Sequence, residues 1–426
     1  MNFFTMNNDE LSGKQIKKWI LKGFLSILDQ VLYSGSNFIL IILLARWLDP
    51  IDFGAFSVTY ALISVFYQFH NGFISEPMNV LGPIDYHDDK ISYVKIQTKI
   101  HFLFTACIGL LLILIIIFFQ KIFDSNSVNT IFIFLGLATP FLLLPWFTRR
   151  SFYFLQKPIM SAFTSFQYAF FLFFLLYFAR RILRLNSEAI YIIMAFSALF
   201  SSVYFFISTQ RKENERKLNL KKILNKNWHY GKWIIFTGIL VSLANQIQIF
   251  ITGSILGLEI AGAFKVIQNF SQPMVVLISG FSFLVLPSFA SQIENHDVKT
   301  IRKRGLIVSL ITLLLAIIYE CILLLFKYQL EHFLYNGKYR MYADLIPLFG
   351  IISIIMALSI GPSVLLKVYQ DPKSLFIIAI AWAFTSVLSS VILINGWGIN
   401  GAIWSAIFGQ SVSTTMFILL SRQKIA

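Results

Sequence analysis

Apolar stretches of about 20 residues, the length a helix needs to cross a bilayer, recur twelve times along this chain. They lie near residues 21–45, 53–75, 98–120, 129–148, 159–180, 188–208, 231–254, 260–288, 305–326, 342–366, 374–395 and 398–420. The runs are far longer than a barrel strand and do not alternate apolar with polar residues. In lipid such segments satisfy their backbone polar groups as helices. The expected fold is therefore an all-α polytopic membrane protein. Charged residues make up only 13% of the chain and the mean hydropathy is +0.73, whereas a soluble domain carries about a quarter charged residues. The first stretch is too long for a cleavable signal and lacks a small-residue cleavage pattern, so it is expected to remain as the first span.

A net charge of +15 could suggest nucleic acid, but the distribution of Lys and Arg argues otherwise. With the N-terminus inside, 26 of the 35 basic residues fall on inner segments and 8 on outer ones, with Lys265 left inside a helix. This positive-inside bias predicts a multi-pass protein of the cytoplasmic (inner) membrane with both termini cytoplasmic. The stretch Arg180 to Arg184 fits least well, because it falls outside. Cys107 and Cys321 both sit within apolar helices, which argues against a disulfide or a cysteine metal site.

The chain also matches itself at a shift of 208 residues. Trp47-Leu48-Asp49-Pro50-Ile51-Asp52-Phe53-Gly54-Ala55-Phe56 aligns with Ile255-Leu256-Gly257-Leu258-Glu259-Ile260-Ala261-Gly262-Ala263-Phe264, and Ser34 and Asn37 meet Ser242 and Asn245. Gln156-Lys157-Pro158 resembles Gln370-Asp371-Pro372 at a shift of 214, the extra residues being placed in an outer loop from Lys327 to Asp344. Residues 1–209 form an N-terminal lobe of six spans, 210–227 a basic cytoplasmic linker, and 228–426 a C-terminal lobe of six. An even number of spans per half predicts a pseudo-two-fold axis along the membrane normal.

Polar residues at helical spacing inside a span should face the bundle interior or a wet cavity. The first span carries Ser26, Asp29, Gln30, Tyr33 and Asn37, and the second Tyr60, Ser64, Tyr67, Gln68 and Asn71. The seventh carries Ser242, Asn245, Gln248 and Thr252, and the eighth Lys265, Gln268, Asn269 and Gln272. The 208 shift superposes Tyr60 on Gln268 and Ser64 on Gln272, which favours a shared central cavity. The plainer alternative is interhelical hydrogen bonding. Lys265, backed by amides, suits a phosphate or diphosphate head group, although it could also snorkel outward. Asp29 could pair with Lys265 in one conformation, or hold a proton or Na+ when that pair breaks. Glu320 is a second intramembrane carboxylate and a candidate for ion coupling, or for pairing with a neighbouring helix. Pro273, Gly280 and Pro287 permit bends in the eighth span.

No catalytic, metal or cofactor site is expected. His87-Asp88-Asp89 lacks further spaced ligands, and the chain has neither a nucleotide-binding P-loop pattern nor a nucleophile elbow. Outer segments are too short for a folded catalytic domain.

Several segments resemble the multidrug/oligosaccharidyl-lipid/polysaccharide (MOP) exporter superfamily, specifically its bacterial polysaccharide-unit flippase branch (Wzx-like). They are Ser34 to Phe38, Leu44 to Leu48, Phe53 to Phe56, Tyr230 to Trp233, Ala261 to Phe264 with Gln268, Asn269 and Pro273, Leu286-Pro287, Asn336 to Tyr339, Leu345 to Leu348 and Gly396 to Ala402. The resemblance implies two six-helix lobes facing a central V-shaped cavity. It further implies alternating-access transfer of an undecaprenyl-diphosphate-linked oligosaccharide to the outer leaflet, for O-antigen, capsule or another surface polysaccharide. It places Lys265 and Arg46 where the family has basic residues bordering the cavity. The few other basic residues within the helices depart from a strongly cationic cavity. The expected partners are the lipid-linked substrate, membrane lipids and polysaccharide assembly proteins, without nucleic acid, and no feature demands an oligomer. The rival readings are a cation-coupled multidrug antiporter of the same superfamily and a membrane glycan polymerase or ligase.

Overall fold

A computed structural model describes residues 13–119, 126–182, 185–209, 218–290, 298–369 and 371–423, and every regular element among them is helical. In chain order these are α1 (Gly13–Trp47), α2 (Pro50–His70), α3 (Lys90–Phe119), α4 (Asn126–Leu142), α5 (Leu144–Phe154), α6 (Pro158–Ile182), α7 (Ser187–Thr209), α8 (Leu220–Ile255), α9 (Leu258–Ala290), α10 (Val298–Tyr335), α11 (Leu345–Val368) and α12 (Pro372–Gln423). After α2 the chain passes through a π-helical turn, Asn71–Ser75, and two short helical turns, Glu76–Val80 and Gly82–Asp85. Ten helical segments among the described residues are long and apolar enough to cross a membrane. That count takes α12 as one segment and leaves out α9, a 33-residue helix. Gly398, at φ 58° and ψ −135°, divides α12 into two limbs. The limbs return antiparallel, with Ser390 Oγ donating to Ser405 Oγ at 3.1 Å. Counting both limbs of α12 and adding α9 gives twelve candidate crossings among the described residues, and the molecule is a multi-pass membrane protein.

Helix borders differ from the sequence reading where charged residues continue a helix. The fourth crossing does not stop at residue 148 but continues through α5, so Arg149 lies within a helix and is buried. α8 begins at Leu220, inside the expected linker, whose residues 210–217 lie outside the described set. There Lys226 pairs with Asp85 at 2.8 Å, and buried Asn227 and Gln97 bond each other through their amides. α10 runs to Tyr335, which shortens the expected outer loop to residues 336–344. Arg180 and Arg181 form the last turn of α6, and Arg184 lies outside the described residues. α9 runs as one helix from Leu258 to Ala290, through Pro273, Gly280 and Pro287.

The chain forms two compact units. Among the described residues, one comprises those from Gly13 to Leu40 together with Thr59–Ile239, and the other comprises Ile41–Val58 with those from Leu240 onward. Association of helices in lipid rests on close packing rather than on escape from water, and both units use small residues for it. In the first, α3 meets α4 with Gly109 against the Gly136 carbonyl, around a core that includes Met78, Tyr93, Phe147, Phe152 and Phe205. In the second, α9, α10 and α11 enclose Met274, Ile278, Ala316, Ala357 and Val364. The α1–α2 hairpin tip belongs to this second unit. Gly54 rests on the Leu258 carbonyl, and a Cβ added to Gly262 would lie 3.1 Å from the Gly54 nitrogen. The two glycines equated by the 208-residue shift thus pack on each other.

Gly54→Val should lower the thermal stability of the detergent-solubilised protein by about 1–3 kcal/mol, the usual scale of overpacking. Gly35→Ala, whose added methyl meets nothing within 4 Å, should leave it unchanged or slightly raised. Thermal unfolding of the two variants compares them directly.

Candidate functional site

In the first unit, three helical stripes converge. α1 brings Asp29, Tyr33 and Asn37 to one face at four-residue spacing, α5 contributes Trp146, Arg149 and Tyr153, and α6 contributes Ser161, Ser165 and Tyr168. Asp29 is 1% exposed. Its Oδ1 accepts from Arg149 Nε at 2.8 Å and from the Ser165 hydroxyl. Its Oδ2 accepts from Arg149 Nη2 at 2.9 Å, Tyr153 at 2.8 Å and Ser161 at 3.0 Å. A buried ion pair is tolerable only when its remaining lone pairs and protons are also satisfied, and five bonds to one carboxylate meet that condition. Asp29 therefore pairs with Arg149 in this structure, where the sequence reading offers Lys265 as its partner.

The same stripes wall a cavity of about 190 Å³ lined by Tyr33, Asn37, Tyr60, Ile63, Ser64, Tyr67, Leu142, Leu143, Trp146, Tyr168 and Met194. Its rings meet edge to face or tilted: Tyr67 and Trp146 are 4.4 Å apart, Tyr33 and Trp146 5.6 Å, and Tyr33 and Tyr168 5.8 Å. Asn37 is oriented by donating to the Tyr33 carbonyl at 3.0 Å and accepting from the Tyr60 hydroxyl at 3.2 Å. The Arg149 guanidinium lies 4.2 Å from the Tyr33 ring and 5.3 Å from the Trp146 ring, and Arg150 lies 5.1 Å from the Trp146 ring. The Trp146 indole N–H is buried and has no hydrogen-bond partner. Asn71 is in the π-helical turn, with its Oδ1 likewise buried and unpartnered.

In the second unit, Lys265 is 8% exposed and donates to Gln268 Oε1 at 2.9 Å. Gln268 Nε2 in turn donates to the Asn245 carbonyl at 3.4 Å, which links α9 to α8. Asn269 is buried and donates to the Tyr335 hydroxyl at 3.0 Å, while Gln272 is half-buried on the same helix. Glu320 is half-buried, its carboxylate lies over Gly350 of α11, and its Oε2 has no hydrogen-bond partner.

Arg46 has a different setting from the cavity border expected of it. Its guanidinium donates to the Leu334 and Phe333 carbonyls at the end of α10. Lys338, just beyond α10, donates to Ala45 O at 3.0 Å and to Leu48 O, at the end of α1. Each helix terminus thus supplies a cation to the unsatisfied carbonyls and negative dipole end of the other. The turn that aims Lys338 uses left-handed Asn336 (φ 57°) and Gly337 (φ 75°), and buried Glu331 accepts from the Tyr339 N–H at 2.8 Å. Burial pushes the Lys338 ammonium below the usual lysine range, with Asp49 opposing the shift.

Sequence reasoning found Asp29, Asn37, Tyr60, Lys265, Gln268 and Asn269 through their helical period. It missed Arg149, Arg150 and Trp146 because the two arginines were read as inner-loop charge, and it missed Lys338 as loop charge too. A local signal existed for the first group: Phe147, Phe152 and Phe154 continue an apolar helical face past both arginines.

The fold is that of known transporters. The chain superposes on an inward-facing multidrug resistance MATE family transporter of the MOP superfamily with a TM-score of 0.76 at 11% identity, covering 93% of this chain and 94% of that one. An outward-facing MATE family transporter gives 0.65 at 12%, with 96% of each chain covered. A MOP superfamily transporter from Pyrococcus furiosus, described as having a binding pocket of reverse polarity, gives 0.65 at 11%, again with 96% of each covered. No curated protein matches the sequence. More narrowly, residues 43–316 match the model of the polysaccharide biosynthesis protein family, and the chain belongs to that family.

Arg149→Met, which strands the Asp29 carboxylate, should cost about 3–5 kcal/mol, the scale for breaking one side of a buried pair. The double variant Asp29→Asn, Arg149→Met should recover much of that loss. Thermal unfolding of the two in detergent measures the coupling.

Proposed function

We propose that this protein moves undecaprenyl-diphosphate-linked oligosaccharide repeat units across the cytoplasmic membrane by alternating access, for surface polysaccharide assembly. The observation that carries the proposal is a transporter fold in a polysaccharide biosynthesis family whose aromatic cavity has guanidinium groups, not carboxylates, stacked on its rings. Rings and amides suit sugar, and cations suit a diphosphate. A cationic drug would find no carboxylate among the residues lining this cavity.

In this reading the head group enters from the cytoplasmic side, drawn by the inner Lys and Arg residues. It then engages Lys265, Gln268, Asn269 and Asn245 from one half and Asn37 and Tyr60 from the other, with Gln272 and Asn71 along the same faces. Lobes 1–209 and 228–426 rock to release it outward. Asp29 serves to hold Arg149 in place, since five donors leave its oxygens little capacity for a travelling ion. Glu320 is then the better candidate for ion coupling. Arg46 acts on helix ends rather than on substrate.

A deletion strain should accumulate single lipid-linked repeat units on the cytoplasmic face, and a plasmid copy should reverse this. A Lys265→Ala copy expressed at the normal level should restore export at least several-fold less well. Single units stranded on the outer face would instead indicate a polymerase or ligase. Unchanged lipid-linked glycan with altered drug sensitivity would indicate a multidrug antiporter.

A further inference from the structure

The aromatic cavity of the first unit is more specific than a polar passage requires. Its volume is about 190 Å³. That volume falls below the roughly 300–1,000 Å³ of pockets for drug-sized ligands. One six-membered sugar ring is the scale of molecule it can take. Four tyrosines and a tryptophan line it, and they present ring faces and edges to a guest from several helices. The axial C–H faces of a pyranose pack on such rings, while its hydroxyl groups need donors and acceptors at the periphery.

Those groups are present. The indole N–H of Trp146, a residue of the cavity wall, is a buried donor with no partner, and a buried donor left unsatisfied costs about 1–3 kcal/mol, a penalty that a guest hydroxyl would remove once a small turn of the ring brought the N–H to the cavity. Asn37 is held by Tyr33 and Tyr60 with its amide at the cavity wall. The cation-binding use of such an aromatic box is already taken by the protein itself, with Arg149 over Tyr33 and Trp146 and Arg150 over Trp146. No lining residue is a carboxylate.

Resting on the carrier reading above, we propose that this cavity is a subsite for a single pyranose ring of the lipid-linked glycan. Trp146 and Asn37 bond its hydroxyls, and Tyr33, Tyr67 and Tyr168 pack on its faces. Arg150 stands where it can meet an adjoining phosphate. The protein then grips its cargo by one sugar as well as by the diphosphate, and the sugar nearest the lipid becomes a determinant of selection.

The test uses full-length purified protein and short-chain isoprenyl diphosphate probes, one sugar-free and three carrying a single glucose, galactose or N-acetylglucosamine. At least one sugar-bearing probe should bind about tenfold or more tightly than the sugar-free probe. Trp146→Phe, which keeps a ring and removes the N–H, should shrink that advantage severalfold without changing sugar-free binding. Tyr67→Ala should abolish the advantage. Equal binding of all four probes would overturn the subsite while leaving the carrier reading intact. Failure of every probe to bind would overturn both. A sugar advantage that survives Trp146→Phe and Tyr67→Ala unchanged would place the sugar elsewhere and overturn the proposal.

Discussion

Hydrocarbon offers no hydrogen bonds, so every polar group carried into the membrane must find its partner within the protein. That constraint explains both the regularity of the helices and the places where the chain departs from an apolar pattern. Asp29 is acceptable at 1% exposure because Arg149, Tyr153, Ser161 and Ser165 complete its coordination. The ends of α1 and α10 are acceptable because α10 receives Arg46 from the last turn of α1, and α1 receives Lys338 from just beyond α10. Groups that remain unsatisfied, such as the Trp146 N–H and Glu320 Oε2, then stand out as places where something else could bind.

The same constraint sorts the charged residues by role. Arg149 is committed to Asp29, and Arg46 and Lys338 are committed to helix carbonyls. Lys265 donates to the neighbouring amide of Gln268. The distinction rests on partner chemistry rather than on charge count.

Much of the fold was legible because hydropathy over a window reports crossing length, and the length of a crossing is set by the bilayer. The 208-residue shift pairs Gly54 with Gly262 in sequence, and the two are in contact in space. Faces were readable from the 3.6-residue period, which is why Asn37 and Tyr60 were found before their mutual bond was known. Partners were not. Asp29 and Arg149 are 120 residues apart and Arg46 lies 288 from Leu334, and no local pattern encodes such distances. Borders failed where arginine or lysine sits in a helix, because a window average treats a paired charge and a solvated one alike.

The central claim, that the chain carries a glycan head group across the membrane, is tested most directly by transfer in a reconstituted bilayer. Protein in liposomes would be given a fluorescent lipid-diphosphate oligosaccharide, and the fraction accessible to an external glycosidase would be followed over time. Protein-dependent loss of protection from the inner leaflet, abolished by Lys265→Ala, is the predicted result. An inner-leaflet pool that stays protected for as long as in protein-free liposomes, with the protein shown to be folded and inserted, would contradict the account.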